Sequence, residues 1–117
     1  MDLFEELKKL GVDIDGGVAR LGGNEALYRK LLGSFVKAIN QYYVGTDFDG
    51  TEYADIIEKT HAIKGAAGNL SITPVYEAYS KIVDLLRTDQ PEQAREILAD
   101  VLPVQENIIK CIENNMG

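Results

Sequence analysis

Hydrophobic residues recur at every third or fourth position along most of the chain, which is the spacing of amphipathic α-helices. Four long segments carry this pattern, and short breaks rich in Gly, Asp and Pro separate them. No segment alternates between apolar and polar residues over several positions, so no β-strand is predicted. The pattern therefore indicates an all-α protein.

The four long helices are predicted to begin at residues that commonly start helices. Ser, Thr, Asp and Asn side chains accept hydrogen bonds from exposed backbone amides, and proline at the first helical position has no amide to satisfy. In chain order these signals are Asn24, Asp49 with Glu52, Thr73 with Pro74, and Asp89 with Pro91. Pro103 interrupts the fourth pattern, where we expect a kink or a short break, because the apolar period resumes at Ile108.

Two shorter segments precede the long helices. Residues 2–10 place their apolar side chains on one side, and residues 12–23 contain four glycines, which predicts a single helical turn between loops. Amphipathic helices joined by short links favour antiparallel neighbours. We therefore predict one domain, residues 1–117, folded as an up-down-up-down antiparallel four-helix bundle with a short N-terminal helical cap.

Composition excludes several classes of function. The 117 residues are 45 % hydrophobic, which suits a single core, and the bundle can close on itself as a monomer. The net charge is −7 without a Lys/Arg cluster, so neither nucleic acid nor an anionic membrane is an expected partner. Cys111 is the only cysteine and no secretory leader is evident, which favours the reducing cytoplasm.

No metal site or catalytic set can be assembled from the sequence. One cysteine and one histidine cannot form a Cys/His metal centre. The pairs Asp13/Asp15 and Asp47/Asp49 do not continue into the spacing of an EF-hand loop, so they are interpreted as turn formers and helix caps. A stand-alone enzyme is therefore the least favoured class.

The most informative residues surround His61, the only histidine. Lys64, Gly65 and Gly68 follow it at intervals of three, four and seven, so all four share one face of the second long helix. Each glycine inside a helix costs about 1 kcal/mol relative to alanine. This face lies beside the buried stripe, whose centre is taken by Ala67.

These residue types suit an imidazole that carries a phosphoryl group. A neutral imidazole nitrogen can attack phosphorus, and the Lys64 ammonium can approach the phosphoryl oxygens. Gly65 and Gly68 leave bare backbone, so a second protein can bring its own acidic pocket and metal ion close to the ring. The alternative is structural: His61 is a surface residue, the glycines permit tight helix packing, and Lys64 extends its stem over apolar surface.

At this point the chain resembles the histidine-containing phosphotransfer (HPt) domains of two-component phosphorelays. The central resemblance is the string from His61 to Gly68, with lysine three and glycine four residues after the histidine. Upstream, the matching strings are Gly11-Val12-Asp13, Arg20-Leu21-Gly22-Gly23-Asn24, Leu27-Tyr28 and Phe35. The resemblance therefore covers nearly the whole chain.

The resemblance implies a cytoplasmic four-helix bundle that does not bind ATP. It implies that His61 is the phosphoacceptor, that Lys64 stabilises the phosphoryl group, and that Gly65 and Gly68 keep the docking surface open. The implied partners are response-regulator receiver domains and a hybrid sensor histidine kinase. No cofactor is implied beyond the Mg²⁺ that the receiver brings.

Two positions depart from the family pattern. Many members have a glycine ten residues after the histidine, where this chain has Ser71, and a Glu or Gln that orients the imidazole, where this chain has Val83. Asp84 is one helical step of about 100° away from that second position and is not a substitute.

Two other functions stay open. One is the histidine-bearing domain of a chemotaxis-type kinase, phosphorylated by an ATP-binding domain of the same protein. The other is a helical interaction module without phosphate chemistry.

Overall fold

The computed structural model describes residues 2–48 and 53–116, which form six α-helices and no strand. Two short helices precede four long ones, and the prediction of an all-α protein is confirmed. The helices are α1 (Leu3–Lys9), α2 (Ile14–Arg20), α3 (Glu25–Tyr42), α4 (Ala54–Asn69), α5 (Thr73–Arg87) and α6 (Pro91–Met116). None of the helices in these ranges is long and apolar enough to cross a membrane.

Side-chain caps start the first three helices. The Asn24 carboxamide oxygen accepts a hydrogen bond from the Leu27 amide at 3.0 Å, as the sequence predicts. Asp13 caps α2 in the same way, through the Gly16 amide at 3.1 Å. The predicted capping pair Asp49 and Glu52 lies outside the described residues.

Several boundaries differ from the sequence prediction. Residues 12–23 contain a helix of two turns, not one, because tertiary packing offsets the low helix propensity of their glycines. Thr73 is the first residue of α5 and Ile72 occupies the cap position without a side-chain bond. The helix α6 runs through Pro103 without the break considered above, and Val101 and Ile108 on either side are both buried.

The four long helices surround the core. Contacts join α3 to α4, α4 to α5, α5 to α6 and α6 back to α3, while α1 packs on α6 and α2 on α3. Each large apolar side chain buried there contributes about 1.5–3 kcal/mol. The largest fully buried side chains are Tyr28, Tyr79, Phe35, Leu3, Leu7, Leu32, Ile39, Ile63, Ile72, Ile82, Leu98 and Ile108.

One buried hydrogen bond fixes α5 against α6. The Tyr79 hydroxyl donates to Oε1 of Gln105 at 2.6 Å, and both side chains are buried. Burial raises the pKa of Tyr79, so its hydroxyl keeps its proton and stays a donor across the physiological range.

We expect Tyr79→Phe to lower the free energy of unfolding by about 1–3 kcal/mol, because it leaves a buried carboxamide oxygen without its donor. Urea denaturation measures this change. Tyr76→Phe, on the exposed side of the same helix, is the matched control and should be nearly neutral. Equal stabilities of the two variants would contradict the assignment.

Candidate functional site

The structure places His61 on the outer side of α4. Ile63 and Ala67 of the same helix are fully buried, whereas the imidazole is exposed. Among the described residues, none forms a hydrogen bond or ion pair with His61. The ring nitrogens are therefore accessible to a partner.

The four predicted site residues meet in one cleft. Its volume is about 510 Å³, and its walls come from α4, the start of α5, and the segment around α2. The lining residues are Asp13, Arg20, His61, Lys64, Gly65, Gly68, Asn69, Ser71, Thr73, Tyr76 and Glu77. His61, Lys64, Gly65 and Gly68 thus share one surface, as their spacing predicts.

The two glycines of this surface have different surroundings. A Cβ atom at Gly65 would meet nothing within 4 Å, so the helix is bare there. A Cβ atom at Gly68 would lie 2.9 Å from both Cδ1 and Cε1 of Tyr76. Gly68 therefore makes room for an aromatic ring that forms part of the cleft wall, and Gly65 alone leaves open space.

Two cations and two carboxylates line the cleft. Lys64 and Arg20 form no ion pair with any of the described residues. Asp13 uses a carboxylate oxygen to cap α2, and Glu77 is exposed. Both positive charges of the cleft are consequently available to an incoming anionic group.

Residues from the N-terminal third of the chain hold the end of α4. The last carbonyl groups of a helix have no partner within that helix. We call Asp13, Arg20 and Tyr28 the α4 clamp. The Arg20 guanidinium donates a hydrogen bond to the Gly68 carbonyl. The Tyr28 hydroxyl donates to the Leu70 carbonyl at 2.7 Å, and the Asp13 amide donates to the Ser71 carbonyl at 2.9 Å.

The clamp depends on close packing at Gly17. A Cβ atom there would lie 2.4 Å from Cε1 of Tyr28 and 2.7 Å from the Leu70 carbonyl oxygen, so only glycine fits. Burial, with a smaller contribution from the charge of Asp13, raises the pKa of Tyr28 to about 12. Tyr28 therefore remains a hydrogen-bond donor at any physiological pH.

The structure also shows the surroundings of Ser71 and Val83, the two positions at which the chain departs from the HPt pattern that it resembles. Ser71 has φ +56°, the left-handed conformation that favours glycine after a helix, so the family's usual residue fits this backbone better. Val83 is fully buried in the core and carries no polar group. Asp84 is exposed. None of the described side chains, Asp84 included, forms a hydrogen bond that would orient the imidazole.

Sequence analysis did not assign a role to Arg20 or Tyr76. Arg20 begins the string Arg20-Leu21-Gly22-Gly23-Asn24, but its contact with Gly68 spans 48 residues and has no local signature. Tyr76 could have been noticed as an aromatic residue away from the buried stripe of α5. The described residues contain no group of His, Cys, Asp or Glu that could hold a metal ion.

Comparison of this chain with models of protein families found no match. Searches of curated proteins and of solved structures likewise found no significant match.

We expect Gly65→Ala to raise the free energy of unfolding by about 0.5–1 kcal/mol, because alanine favours the helix and nothing obstructs its methyl group. Gly68→Ala should raise the free energy of unfolding less than Gly65→Ala does, or lower it, because the added methyl group must displace the Tyr76 ring. Thermal and urea unfolding of both variants measure the difference.

A double variant, Gly68→Ala with Tyr76→Ala, provides the control, since it removes the obstructing ring. The alanine at position 68 should then be tolerated as well as the one at position 65. Identical effects of Gly65→Ala and Gly68→Ala in the presence of Tyr76 would contradict this account.

Proposed function

We propose that the protein is a phosphorelay intermediate of the HPt type. It accepts a phosphoryl group on His61 from the aspartyl phosphate of one receiver domain and passes it to the aspartate of another. The observation that carries this proposal is an exposed imidazole that has no partner among the described residues, one helical turn from the bare backbone of Gly65.

The transfer step balances without a further reactant. The unprotonated ring nitrogen of His61 attacks the phosphorus atom of the aspartyl phosphate. An N–P bond forms while the P–O bond to the donor breaks, and the donor leaves as a carboxylate. Onward transfer reverses these events at the carboxylate of the second receiver.

The protein's share of this reaction is positioning and charge. Lys64, one turn from His61, brings a mobile ammonium close to the phosphoryl oxygens, where it offsets their negative charge. The receiver supplies Mg²⁺ and the in-line arrangement of the reacting atoms. The chain acts as a phosphocarrier and not as an enzyme with its own ATP site.

The proposed architecture is an antiparallel, up-down-up-down four-helix bundle with α1 and α2 as its N-terminal cap. The cyclic contacts among α3, α4, α5 and α6 support it, as does the three-residue link 70–72 between α4 and α5. A bundle closed in this way suits a monomer that works in the cytoplasm beside a hybrid sensor histidine kinase and response regulators.

One observation favours a second candidate, a helical interaction module without phosphate chemistry. In the described residues no polar side chain holds the imidazole, and Val83 occupies the position where the family often has Glu or Gln. In such a module His61 would be an ordinary surface residue.

We expect His61→Gln to keep the fold and to abolish phosphate acceptance. The test incubates wild type and variant with a panel of phosphorylated receiver domains, without ATP, and measures acid-labile phosphate on each protein. Label on the wild type alone supports the relay. Label on the variant contradicts His61 as the acceptor, and no label on either favours the interaction module.

We expect Gly65→Leu to slow transfer from a receiver at least about tenfold, because a branched side chain fills the space into which the partner must move. Labelling of His61 by phosphoramidate, a small donor, should change much less. Ala99→Leu, which adds the same side chain to an exposed position of α6, is the matched control. Unchanged transfer in Gly65→Leu would show that the bare helix is not a docking surface.

A further inference from the structure

The clamp residue Arg20 has hydrogen-bond donors and a positive charge beyond what its bond to Gly68 requires. It is the last residue of α2, it is exposed, and its guanidinium lines the cleft that contains His61. One nitrogen donates to the Gly68 carbonyl. A guanidinium has five N–H donors, so others remain for a ligand.

No carboxylate among the described residues forms an ion pair with Arg20. Asp13 lines the same cleft, and one of its carboxylate oxygens accepts a hydrogen bond from the Gly16 amide at 3.1 Å. Glu77 also lines the cleft and forms no ion pair with the described residues. Arg20 is therefore an anchored cation at the mouth of the site, in a chain whose net charge is −7.

The position of Arg20 separates it from the phosphoryl group. Its anchor, Gly68, follows His61 by seven residues, which corresponds to about 10 Å along α4. Lys64 lies between them on the same face. Arg20 is thus placed to contact the surface around an incoming reactive group rather than that group itself.

We propose that Arg20 is a docking residue that binds a carboxylate of the receiver partner beside that partner's acidic pocket. This inference depends on the proposed function, which supplies a partner whose reacting aspartate and metal ligands are carboxylates. The net negative charge of this chain repels the acidic surface of a receiver. An unpaired cation at the cleft attracts that surface, and therefore selects the orientation in which the two proteins dock.

Anchoring makes Arg20 better suited to this role than a free surface lysine. The hydrogen bond to Gly68 already restricts the side chain, so less conformational freedom is lost when a carboxylate binds. The planar guanidinium can then bind both carboxylate oxygens through two parallel N–H groups. Lys64 keeps the separate role of stabilising the phosphoryl group.

The test follows single-turnover transfer from one phosphorylated receiver domain to increasing concentrations of each full-length variant. The rate constant at saturation is called kcat here, and the half-saturating concentration is called KM. Arg20→Gln keeps a neutral donor for the Gly68 carbonyl and removes the charge, whereas Arg20→Lys keeps the charge. Arg87→Gln is the matched control, because Arg87 ends α5 about 20 Å along the helix from Thr73 in the cleft. Melting temperatures report whether the clamp is intact.

We expect Arg20→Gln to raise KM about tenfold with little change in kcat, and to flatten the salt dependence of kcat/KM. Arg20→Lys should recover part of the loss, and Arg87→Gln should behave as wild type. Lys64→Ala should show the opposite pattern, a lower kcat with little change in KM.

An unchanged KM in Arg20→Gln, with normal transfer to the wild type, would overturn the docking role alone. A lower kcat at unchanged KM would overturn it too, since it would assign Arg20 to positioning of α4. If no receiver labels the wild type, both the relay and the docking role fail. Phosphoramidate labelling then shows whether His61 is reactive toward small donors.

Discussion

The carbonyl groups of Gly68, Leu70 and Ser71, at and just after the end of α4, accept hydrogen bonds from residues far away in sequence. The α4 clamp supplies an amide, a guanidinium and a phenol to three carbonyls of residues 68–71. Each bond joins the segment from Asp13 to Tyr28 either to the last turn of α4 or to the link 70–72 that follows it. Without the clamp, the cleft would lose the wall formed by α2, and the end of α4 would keep only its local backbone bonds, such as that from the Ser71 amide to the Gly68 carbonyl at 3.2 Å.

The two sides of α4 face different surroundings. Its inner side places Thr60, Ile63 and Ala67 in the core, and Thr60 satisfies its own hydroxyl by bonding the Ile56 carbonyl at 2.8 Å. Its outer side carries the imidazole and the bare backbone of Gly65. Because burial holds the inner side, the outer side can be nearly free of packing contacts without loss of the helix.

Much of the fold follows from local patterns. The apolar period predicts the inward residues of α5, and Asn24 predicts the start of α3, because periodicity and capping depend on neighbours within a few positions. The same spacing brings His61 and Lys64 onto one surface. The second turn of α2 and the packing of Tyr76 on Gly68 could not be predicted in this way.

Those features depend on contacts between distant parts of the chain. Position 17 requires glycine because Tyr28 and Leu70 both approach it closely. No local sequence pattern predicts that these two residues meet. The left-handed backbone at Ser71 is similar, since glycine is the residue that normally marks such a position. Tertiary packing, and not local preference, decides these details.

If His61 carries a phosphoryl group, as we propose, its exposure affects how long that group persists. No described side chain covers the ring, so water reaches a phosphorylated imidazole as freely as a partner does. The lifetime of the N–P bond then depends on its hydrolysis in the presence of Lys64, because no described side chain shields it from water. Such a carrier would lose its phosphoryl group at the rate of hydrolysis, and only a receiver that docks faster than hydrolysis would accept it.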